Sequence, residues 1–404
     1  MEPEIRISEY TYSLPEDKIA KYPLPNRDDS KILIFENNSI SDSKFSNLDN
    51  LLPEKSIMVI NRTKVIPARL FFRKESGALI EIFCLEPVDP SEYNSSFATR
   101  NNCVWLCVAG NAKKWKGADL FYESGFDKSF SAIDLRASLI DKKENKFIVK
   151  FSWRGGLTFS EIIELCGNVP IPPYLKRVSE ELDTERYQTT YAEYRGSVAA
   201  PTAGLHFTKD LLDRIKEKSV EVHELCLHVG AGTFIPVKSE LISEHKMHSE
   251  PYVVSMGLIK DLLERGNRKV ISVGTTSLRC LESLFYLGVH CIEKGDPGIV
   301  GQWEPYQREY DYSFDESIAA LLKWMEENKI KELSSRTSLI IVPSFRFRCA
   351  DVLITNFHQP GSTLLLLVAA FAGNMWREIY TYALNNNFRF LSYGDSSILF
   401  RHSC

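Results

Sequence analysis

The chain has 404 residues, of which 44% are hydrophobic and 25% charged, and its formal net charge is −4. This length exceeds that of an ordinary single domain, and this composition is globular, so we expect two domains with sizeable cores. The balance of charge excludes a polycation, so nucleic-acid contacts must come from local clusters of lysine and arginine. The acidic first ten residues lack the apolar segment of a signal peptide, which predicts a cytoplasmic protein.

The nine cysteines are scattered and form no CxxC pair. This pattern predicts buried, reduced thiols, and it predicts no zinc site because ligand pairs at the usual spacing are missing. His245 and His248 stand three residues apart, but a metal site would need a third ligand and an orienting shell. Contacts to a polar substrate, or solvated loop histidines, are the alternatives that we favour there, and we predict no metal.

The first predicted elements are strands at residues 31–35 and 56–60, which are short apolar runs. From about residue 70 to 153, short runs of β-branched and aromatic residues alternate with turn residues, without a helical pattern. Strands at this spacing are typical of a small antiparallel barrel or sandwich. We therefore predict an inserted β-barrel domain at residues 67–156.

Helices and strands alternate after residue 157, which predicts an α/β domain with a mixed, largely parallel sheet. This catalytic domain is expected to be discontinuous and to comprise residues 1–66 and 157–404. Its predicted helices are 159–167, 209–219, 258–267, 275–288, a surface helix at 313–329 and a buried helix at 363–373. Its predicted strands are 220–229, 269–274, 339–343 and 351–357.

The segment 199–207, AAPTAGLHF, combines small residues with one histidine. Pro201 and Gly204 interrupt regular structure, and Thr208 can cap the helix that follows. The loop therefore presents His206 and backbone N–H groups near a helix N-terminus, a position suited to an anion. On this segment alone, an ordinary loop with a packed histidine is an equally good interpretation.

Three further loops follow strand-like runs. Residues 274–277 (GTTS) open a helix whose amides can hold an anion, and residues 356–362 (NFHQPGS) precede the buried helix. Tyr393 and Asp395 lie in a predicted tight turn. Asp395 can belong to the site, or it can serve only to form the turn. No GxGxxG or Walker motif is present, so dinucleotide and triphosphate sites are not indicated. We predict one composite polar site for acid–base and positioning chemistry.

Several of these strings resemble the S-adenosylmethionine:tRNA ribosyltransferase-isomerase family of the queuosine pathway. The longest are residues 191–208 (YAEYRGSVAAPTAGLHFT) and 353–368 (LITNFHQPGSTLLLLV), and the likeness runs from near residue 10 to near residue 400. It is looser between about 70 and 155. The resemblance implies an α/β domain interrupted by a β-barrel. It also implies transfer of the ribosyl part of S-adenosylmethionine, as co-substrate, onto 7-aminomethyl-7-deazaguanine at the tRNA wobble position. Epoxyqueuosine tRNA, adenine and methionine would be the products, and no metal would be needed.

Such a reaction needs a base for the proton beside the sulfonium and an acid for the departing adenine. We predict His206, His228 and His358 as catalytic residues, with His206 the first candidate. Thr275, Thr276 and Ser277 would bind a carboxylate or hydroxyl group. The full set of predicted substrate-binding residues is Thr202, Gly204, Gly230, Gly232, Thr233, His245, His248, Glu250, Thr275, Thr276, Ser277, Arg279, Asn356, Tyr393 and Asp395. For Arg279, a surface charge is the alternative.

The tRNA backbone requires cations. The predicted contacts are Arg62, Lys64, Arg69, Arg73, Lys74, Lys113, Lys114 and Lys116, with a solvated basic face as the alternative. We expect a monomer that contacts no membrane. The rival functions are a non-catalytic tRNA-binding protein on the same scaffold and a dehydrogenase, which the missing GxGxxG disfavours.

Two features depart from the family pattern. The family usually has a Pro-Gly-Tyr turn before the strand that leads into NFH, whereas this chain has Pro343, Ser344 and Phe345. Residues 293–336 are also longer than usual, and their role is open.

Overall fold

The computed structural model describes residues 3–122, 133–143, 146–230, 237 and 239–401. Its strands are β1 (Lys31–Glu36), β2 (Ser39–Lys44), β3 (Ile57–Asn61), β4 (Thr63–Val65), β5 (Arg69–Arg73), β6 (Leu79–Asp89), β7 (Asn102–Gly110), β8 (Leu120–Tyr122), β9 (Arg136–Lys143), β10 (Lys146–Ser152), β11 (Tyr194–Ser197), β12 (Glu221–Leu227), β13 (Glu250–Ser255), β14 (Val270–Val273), β15 (Glu332–Thr337), β16 (Val352–Asn356) and β17 (Ser396–Phe400).

The helices of the described chain include several of one or two turns. They are α1 (Leu48–Leu51), α2 (Tyr93–Ala98), α3 (Phe159–Cys166), α4 (Glu181–Arg186), α5 (Lys209–Glu217), α6 (Met256–Leu263), α7 (Thr275–Lys294), α8 (Glu304–Gln307), α9 (Phe314–Glu327), α10 (Thr363–Ala372) and α11 (Trp376–Asn385).

A nine-stranded mixed sheet forms the centre of the fold, in the order β15-β13-β12-β3-β14-β16-β17-β1-β2. The four central strands β12, β3, β14 and β16 are parallel, whereas β13, β15 and β2 pair antiparallel at the two sides. Every residue of β3, β14 and β16 is buried, as expected for parallel strands covered on both faces. Strand β17 pairs antiparallel with β16 and parallel with β1, so four of the eight pairings in the described sheet are parallel. The predicted mixed sheet is confirmed.

The predicted antiparallel barrel is also confirmed. Six strands close in the order β10-β7-β6-β5-β8-β9, and every pair is antiparallel. Inward side chains such as Phe72, Trp105 and Phe151 fill it, and Phe159 of α3 packs on Trp105 with ring centroids 5.5 Å apart. The barrel strands lie between Arg69 and Ser152. The domain boundaries at 67 and 156 stay a prediction.

Helix α7 runs from β14 through the interior, and α9 packs across it. A Cβ on Gly288 would lie 2.0 Å from the Ser317 carbonyl oxygen, so only glycine allows this close helix contact. Ser313 caps α9 through a capping box with Glu316. The amphipathic surface helix predicted here is confirmed: Ile318, Leu321 and Met325 are fully buried, so its apolar face covers the core while its other face is exposed.

Residues 339–343 were wrongly predicted as a strand. The side chains of residues 339–342 are buried and point alternately into two apolar clusters, which produces a strand-like pattern. Their N–H groups instead bond to the Thr337 hydroxyl, the Gln302 carbonyl and the Tyr306 hydroxyl, so no ladder forms. Helix α10 confirms the predicted buried helix. No helix of the described chain has both the length and the hydropathy to cross a membrane.

Candidate functional site

Polar loops meet in one cavity at the carboxyl ends of β14 and β16. The empty space between its walls is about 730 Å³, a volume that includes solvent at the open mouth. The 3₁₀ turn Thr202–His206 and the segment 391–392 complete its walls. Of the predicted site residues, it is lined by Thr202, Thr275, Thr276, Asn356 and His358. Loops after neighbouring parallel strands are brought together in this way by the sheet itself.

The N-terminus of α7 opens toward this cavity. Gly274 precedes it with φ +91°, a conformation that suits glycine, and no side chain of the described residues caps the helix. The nearby α10 differs, because the Ser362 hydroxyl accepts the Leu365 N–H at 3.2 Å. The first turn of α7 can therefore offer backbone N–H donors and a positive helix end to an anion.

His358 lies on the cavity wall and is held from three sides. Its ring Nε2 lies 2.8 Å from the Thr355 hydroxyl. Its backbone N–H donates to the Tyr380 hydroxyl, and its backbone carbonyl accepts from the Tyr12 hydroxyl at 2.5 Å. Burial lowers the pKa of His358 to about 3. The ring is thus neutral near pH 7, and one of its nitrogens can accept a hydrogen bond.

His206 lies behind the cavity wall, in a smaller adjacent cavity. Its Nδ1 is 2.8 Å from the Ser30 hydroxyl, and its Nε2 is 3.2 Å from the side-chain nitrogen of Asn356. Burial, with a smaller effect from the positive charge of Arg389, lowers the pKa of His206 to about 3. His206 was predicted to contact substrate, but its ring meets the cavity through Asn356.

His228 occupies the junction between the sheet and the barrel. Its ring stacks on Tyr93 with centroids 4.3 Å apart, its Nδ1 is buried without a partner among the described residues, and burial lowers its pKa to about 4. The next residue, Val229, lines the cavity. His228 itself faces a wider groove of about 1830 Å³, open to solvent, which we call the junction groove. Its other side chains include Arg62, Tyr93, Tyr194, Arg195 and Arg336.

Arg279 and Glu250 were both predicted to bind substrate, but they bind each other. The Arg279 guanidinium is 2.5 Å from the Glu250 carboxylate, and its Nε donates to the Leu339 carbonyl at 2.8 Å. Each residue is only 5% exposed, so the surface-charge alternative for Arg279 is wrong. Neither side chain lines the cavity. Glu250 begins β13, which β12 and β3 separate from β14, and Arg279 lies one turn into α7, beyond the threonines that line the cavity.

The remaining histidines and serine of the predicted set also lie away from the cavity wall. His245 and His248 are partly buried, and desolvation lowers the pKa of both. Ser277 is fully buried one position beyond the two threonines that line the cavity. The helical turn directs Ser277 into the protein interior and away from the cavity, although it is adjacent in sequence to the two threonines.

The turn residues of the predicted set have structural contacts. Asp395 accepts the backbone N–H groups of Lys31 and Arg389 at 3.0 and 2.7 Å, so its turn-forming alternative is the one seen. Tyr393 donates to the buried Asp183. A Cβ on Gly204 would lie 2.2 Å from the Tyr191 oxygen, so packing requires this glycine. Gly230 is partly exposed and is absent from the cavity lining, and Gly232 and Thr233 lie outside the described residues.

The predicted cations separate into two places. Lys74 donates to the Lys114 carbonyl, and Lys113, Lys114 and Lys116 are exposed beside it after β7, forming what we call the barrel-end cluster. Arg73, at the end of β5, donates to the Gly77 carbonyl. Arg62 faces the junction groove, where it pairs with Glu193 and Glu224 and lies over Tyr194. Arg69 pairs with Glu81 at 2.9 Å, and Lys64 is partly buried on β4.

Several residues at these sites were not predicted. Tyr174, Tyr187, Gln359 and Ser392 line the cavity, and Ser30 contacts His206. Gln359 lies within residues 353–368, one of the strings that carry the family resemblance, so that string held a usable signal. Ser30 lies before β1, 176 residues from His206, and only the fold brings the two together.

One group of three side chains in the described ranges brings possible metal ligands together: Glu221, His223 and Asp261. It lies at the start of β12, opposite the end that carries His228, and Glu221 is exposed. His245 and His248 belong to no such group within the part of the chain that the structure describes.

Comparison with known proteins identifies the family. Residues 7–399 match the family model described as queuosine biosynthesis protein. The chain is 38% identical over 405 residues to the S-adenosylmethionine:tRNA ribosyltransferase-isomerase of Halothermothrix orenii, covering 98% of this chain and 100% of that protein. It is 35% identical to the protein of the same name from Trichlorobacter lovleyi, covering 97% and 99%.

A solved structure is also similar, the S-adenosylmethionine tRNA ribosyltransferase of Thermotoga maritima. It is 26% identical, covers 97% of this chain and 100% of its own, and gives a TM-score of 0.46. The family model and the curated relatives confirm the family and the enzyme class predicted from the sequence. The chain therefore belongs to the family of the S-adenosylmethionine:tRNA ribosyltransferase-isomerases, enzymes of queuosine biosynthesis.

Proposed function

We propose that this chain transfers and isomerises the ribosyl part of S-adenosylmethionine onto 7-aminomethyl-7-deazaguanine at the tRNA wobble position. Epoxyqueuosine tRNA, adenine and methionine are the products. The observation that carries the proposal is the polar cavity beside the N-terminus of α7, in a chain that belongs to this family from residue 7 to 399. No metal is required, because the sulfonium and the adenine are leaving groups that the co-substrate itself supplies.

S-adenosylmethionine binds in the cavity with its carboxylate at the start of α7. The backbone N–H groups and hydroxyls of Thr275 and Thr276 suit this anion, and the helix dipole adds a favourable field. Thr202 and Asn356 on the facing walls supply polar contacts for the ribose or adenine.

His358 is the best placed side chain for the proton beside the sulfonium. It lies on the cavity wall, and its imidazole is neutral at physiological pH, which is the form that a base requires. Removal of that proton breaks a C–H bond next to sulfur, and the departing adenine needs a proton in return. We assign His358 to the first step and leave the donor to adenine among the other polar groups of the cavity.

The tRNA approaches through the junction groove. Tyr194 is exposed and offers an aromatic ring for an unstacked base, and Arg62, Arg195 and Arg336 offer cations for the backbone. His228 lies at the groove while its neighbour Val229 lines the cavity, so a base held there is close to the co-substrate. The barrel-end cluster binds phosphates farther along the tRNA. A monomer in the cytoplasm is part of the same proposal.

Adenine release tests the proposal. The chain is incubated with S-adenosylmethionine and either tRNA carrying the deazaguanine base or the same tRNA with an unmodified wobble guanine. Adenine and methionine formed only with the modified tRNA support the proposal. Tight binding of either tRNA without adenine supports the non-catalytic binding protein instead. Adenine formed equally with both tRNAs contradicts the assigned acceptor base.

A further inference from the structure

Asn356 presents an unused acceptor at the cavity. It is 2% exposed and lines the cavity, yet its Oδ1 is buried without a partner among the described residues. Its Nδ2 donates to the Leu391 carbonyl and to His206 Nε2, both at 3.2 Å. Because the Leu391 carbonyl can only accept, the amide nitrogen must face it, and Oδ1 must point the other way.

The Leu391 carbonyl and His206 Nε2 hold the Asn356 amide in this orientation. Leu391 adopts φ +70°, a left-handed conformation that few non-glycine residues adopt, and its backbone N–H bonds to the Phe357 carbonyl. This conformation directs the Leu391 carbonyl at Asn356. Strained backbone of this kind often occurs at functional sites, where the surrounding structure fixes it.

The hydrogen bonds also settle the form of His206. Asn356 Nδ2 is a donor, so His206 Nε2 accepts and its hydrogen is on Nδ1. That N–H donates to the Ser30 hydroxyl at 2.8 Å, and the hydroxyl donates onward to the Arg27 carbonyl at 3.4 Å. Ser30, His206 and Asn356 thus form one directed chain that ends at the cavity.

We propose that His206 is a positioning residue and that Asn356 Oδ1 accepts a hydrogen bond from a neutral N–H or O–H donor of the co-substrate. The inference rests on the proposed function. In S-adenosylmethionine the donors of this class are the two ribose hydroxyls and the adenine amino group. A buried acceptor left unpaired disfavours any ligand that lacks the matching donor, so Asn356 selects for that group.

Two substitutions of His206 separate positioning from acid–base catalysis. Glutamine at 206 can reach the place of Nε2 and accept from Asn356, whereas asparagine reaches only the place of Nδ1. We expect His206→Gln to retain kcat/KM for S-adenosylmethionine within about fivefold. His206→Asn and Asn356→Ala should each lose about 10- to 100-fold, mainly in KM, as expected for an unpaired buried polar group. The double variant His206→Asn with Asn356→Ala should have a kcat/KM no lower than that of Asn356→Ala alone, because both substitutions remove the same contact to the co-substrate.

The contrary result is equally clear. If His206 transfers a proton, His206→Gln and His206→Asn both lower kcat by about 100-fold or more. Ser30→Ala serves where His206→Asn fails to fold, since it removes the acceptor of Nδ1–H. It should lower kcat/KM several-fold in a variant whose melting temperature is close to that of the wild type. An unchanged kcat/KM in Ser30→Ala would contradict the chain.

Co-substrate analogues identify the donor. The 2′-deoxy, 3′-deoxy and 6-desamino analogues of S-adenosylmethionine are compared for release of the free base. The wild type should use one of them about tenfold or more worse than the others, and Asn356→Ala should lose that discrimination. Equal use of all three by the wild type overturns the inference. A wild type that releases no adenine from S-adenosylmethionine itself overturns the proposed function instead, so the two failures are distinct.

Discussion

The buried pair of Arg279 and Glu250 allows a quantitative prediction. Both side chains are about 5% exposed, and Arg279 also donates to the Leu339 carbonyl. Removing one partner leaves a buried charge without compensation, which costs about 3–5 kcal/mol. We expect Arg279→Met, which keeps most of the side-chain volume, to lower the free energy of unfolding by that amount. Glu250→Gln should have a similar effect, because it leaves the guanidinium unpaired.

The double variant is the decisive control. With both charges removed, no unpaired ion remains, so Arg279→Met with Glu250→Gln should be more stable than either single variant. Urea unfolding gives the free energy of unfolding of the wild type, the two single variants and the double variant, and these values can be compared if the denaturant slope m is the same for all four. A loss below about 1 kcal/mol in Arg279→Met, or a double variant less stable than both singles, would refute the reasoning, because either result means that the charges are not desolvated.

Three further predictions concern protonation, backbone strain and tRNA binding. His358 has a folded pKa of about 3 against 6.5 unfolded, so the unfolded state binds more protons and stability falls as pH drops below about 6.5. This ring alone should lower the free energy of unfolding by about 2 kcal/mol between pH 7 and pH 5. In urea unfolding, the free energy of unfolding of His358→Gln should therefore fall less steeply with decreasing pH than that of the wild type, and equal pH slopes would contradict this. Ser344 adopts φ +86° where the family usually has glycine, so Ser344→Gly should raise the free energy of unfolding by about 1 kcal/mol, whereas a lower melting temperature would contradict the strain. Replacing Lys113, Lys114 and Lys116 by alanine should weaken tRNA binding and flatten its salt dependence by up to about 0.9 per lost phosphate contact. Alanines at the exposed Lys209, Lys216 and Lys218 of α5 and its C-terminal end remove the same charge and serve as the matched control, and equal salt slopes in the two triple variants would exclude the barrel-end cluster.

Much of the fold was predictable, because hydrophobic period and turn residues are local signals. The fully apolar β3 and β16 and the alternating barrel strands carry such signals. The segment 339–343 shows what such local signals leave out. It alternates between two apolar clusters as a strand would, but its N–H groups find side-chain and loop partners instead of a neighbouring strand. Alternation reports burial on two sides, and it does not report which groups satisfy the backbone.

The candidate site divides along the same line. The loops after β14 and β16 were predicted to meet, since the carboxyl ends of adjacent parallel strands share an edge of the sheet. Sequence also located His206, His228 and His358 as distinctive residues. It could not say that His206 is separated from the cavity by Asn356, or that Arg279 turns toward Glu250.

The sequence by itself determined the family, the two kinds of sheet and the loops that carry the chemistry, because these depend on residue types and short spacings. Tertiary structure alone decided which polar groups face the cavity. Ser30 and His206 are 176 residues apart, and His206 and Asn356 are 150 apart, yet each pair is within hydrogen-bond distance. Hydrogen bonds act over about 3 Å, so the role of a side chain depends on neighbours that only folding assembles.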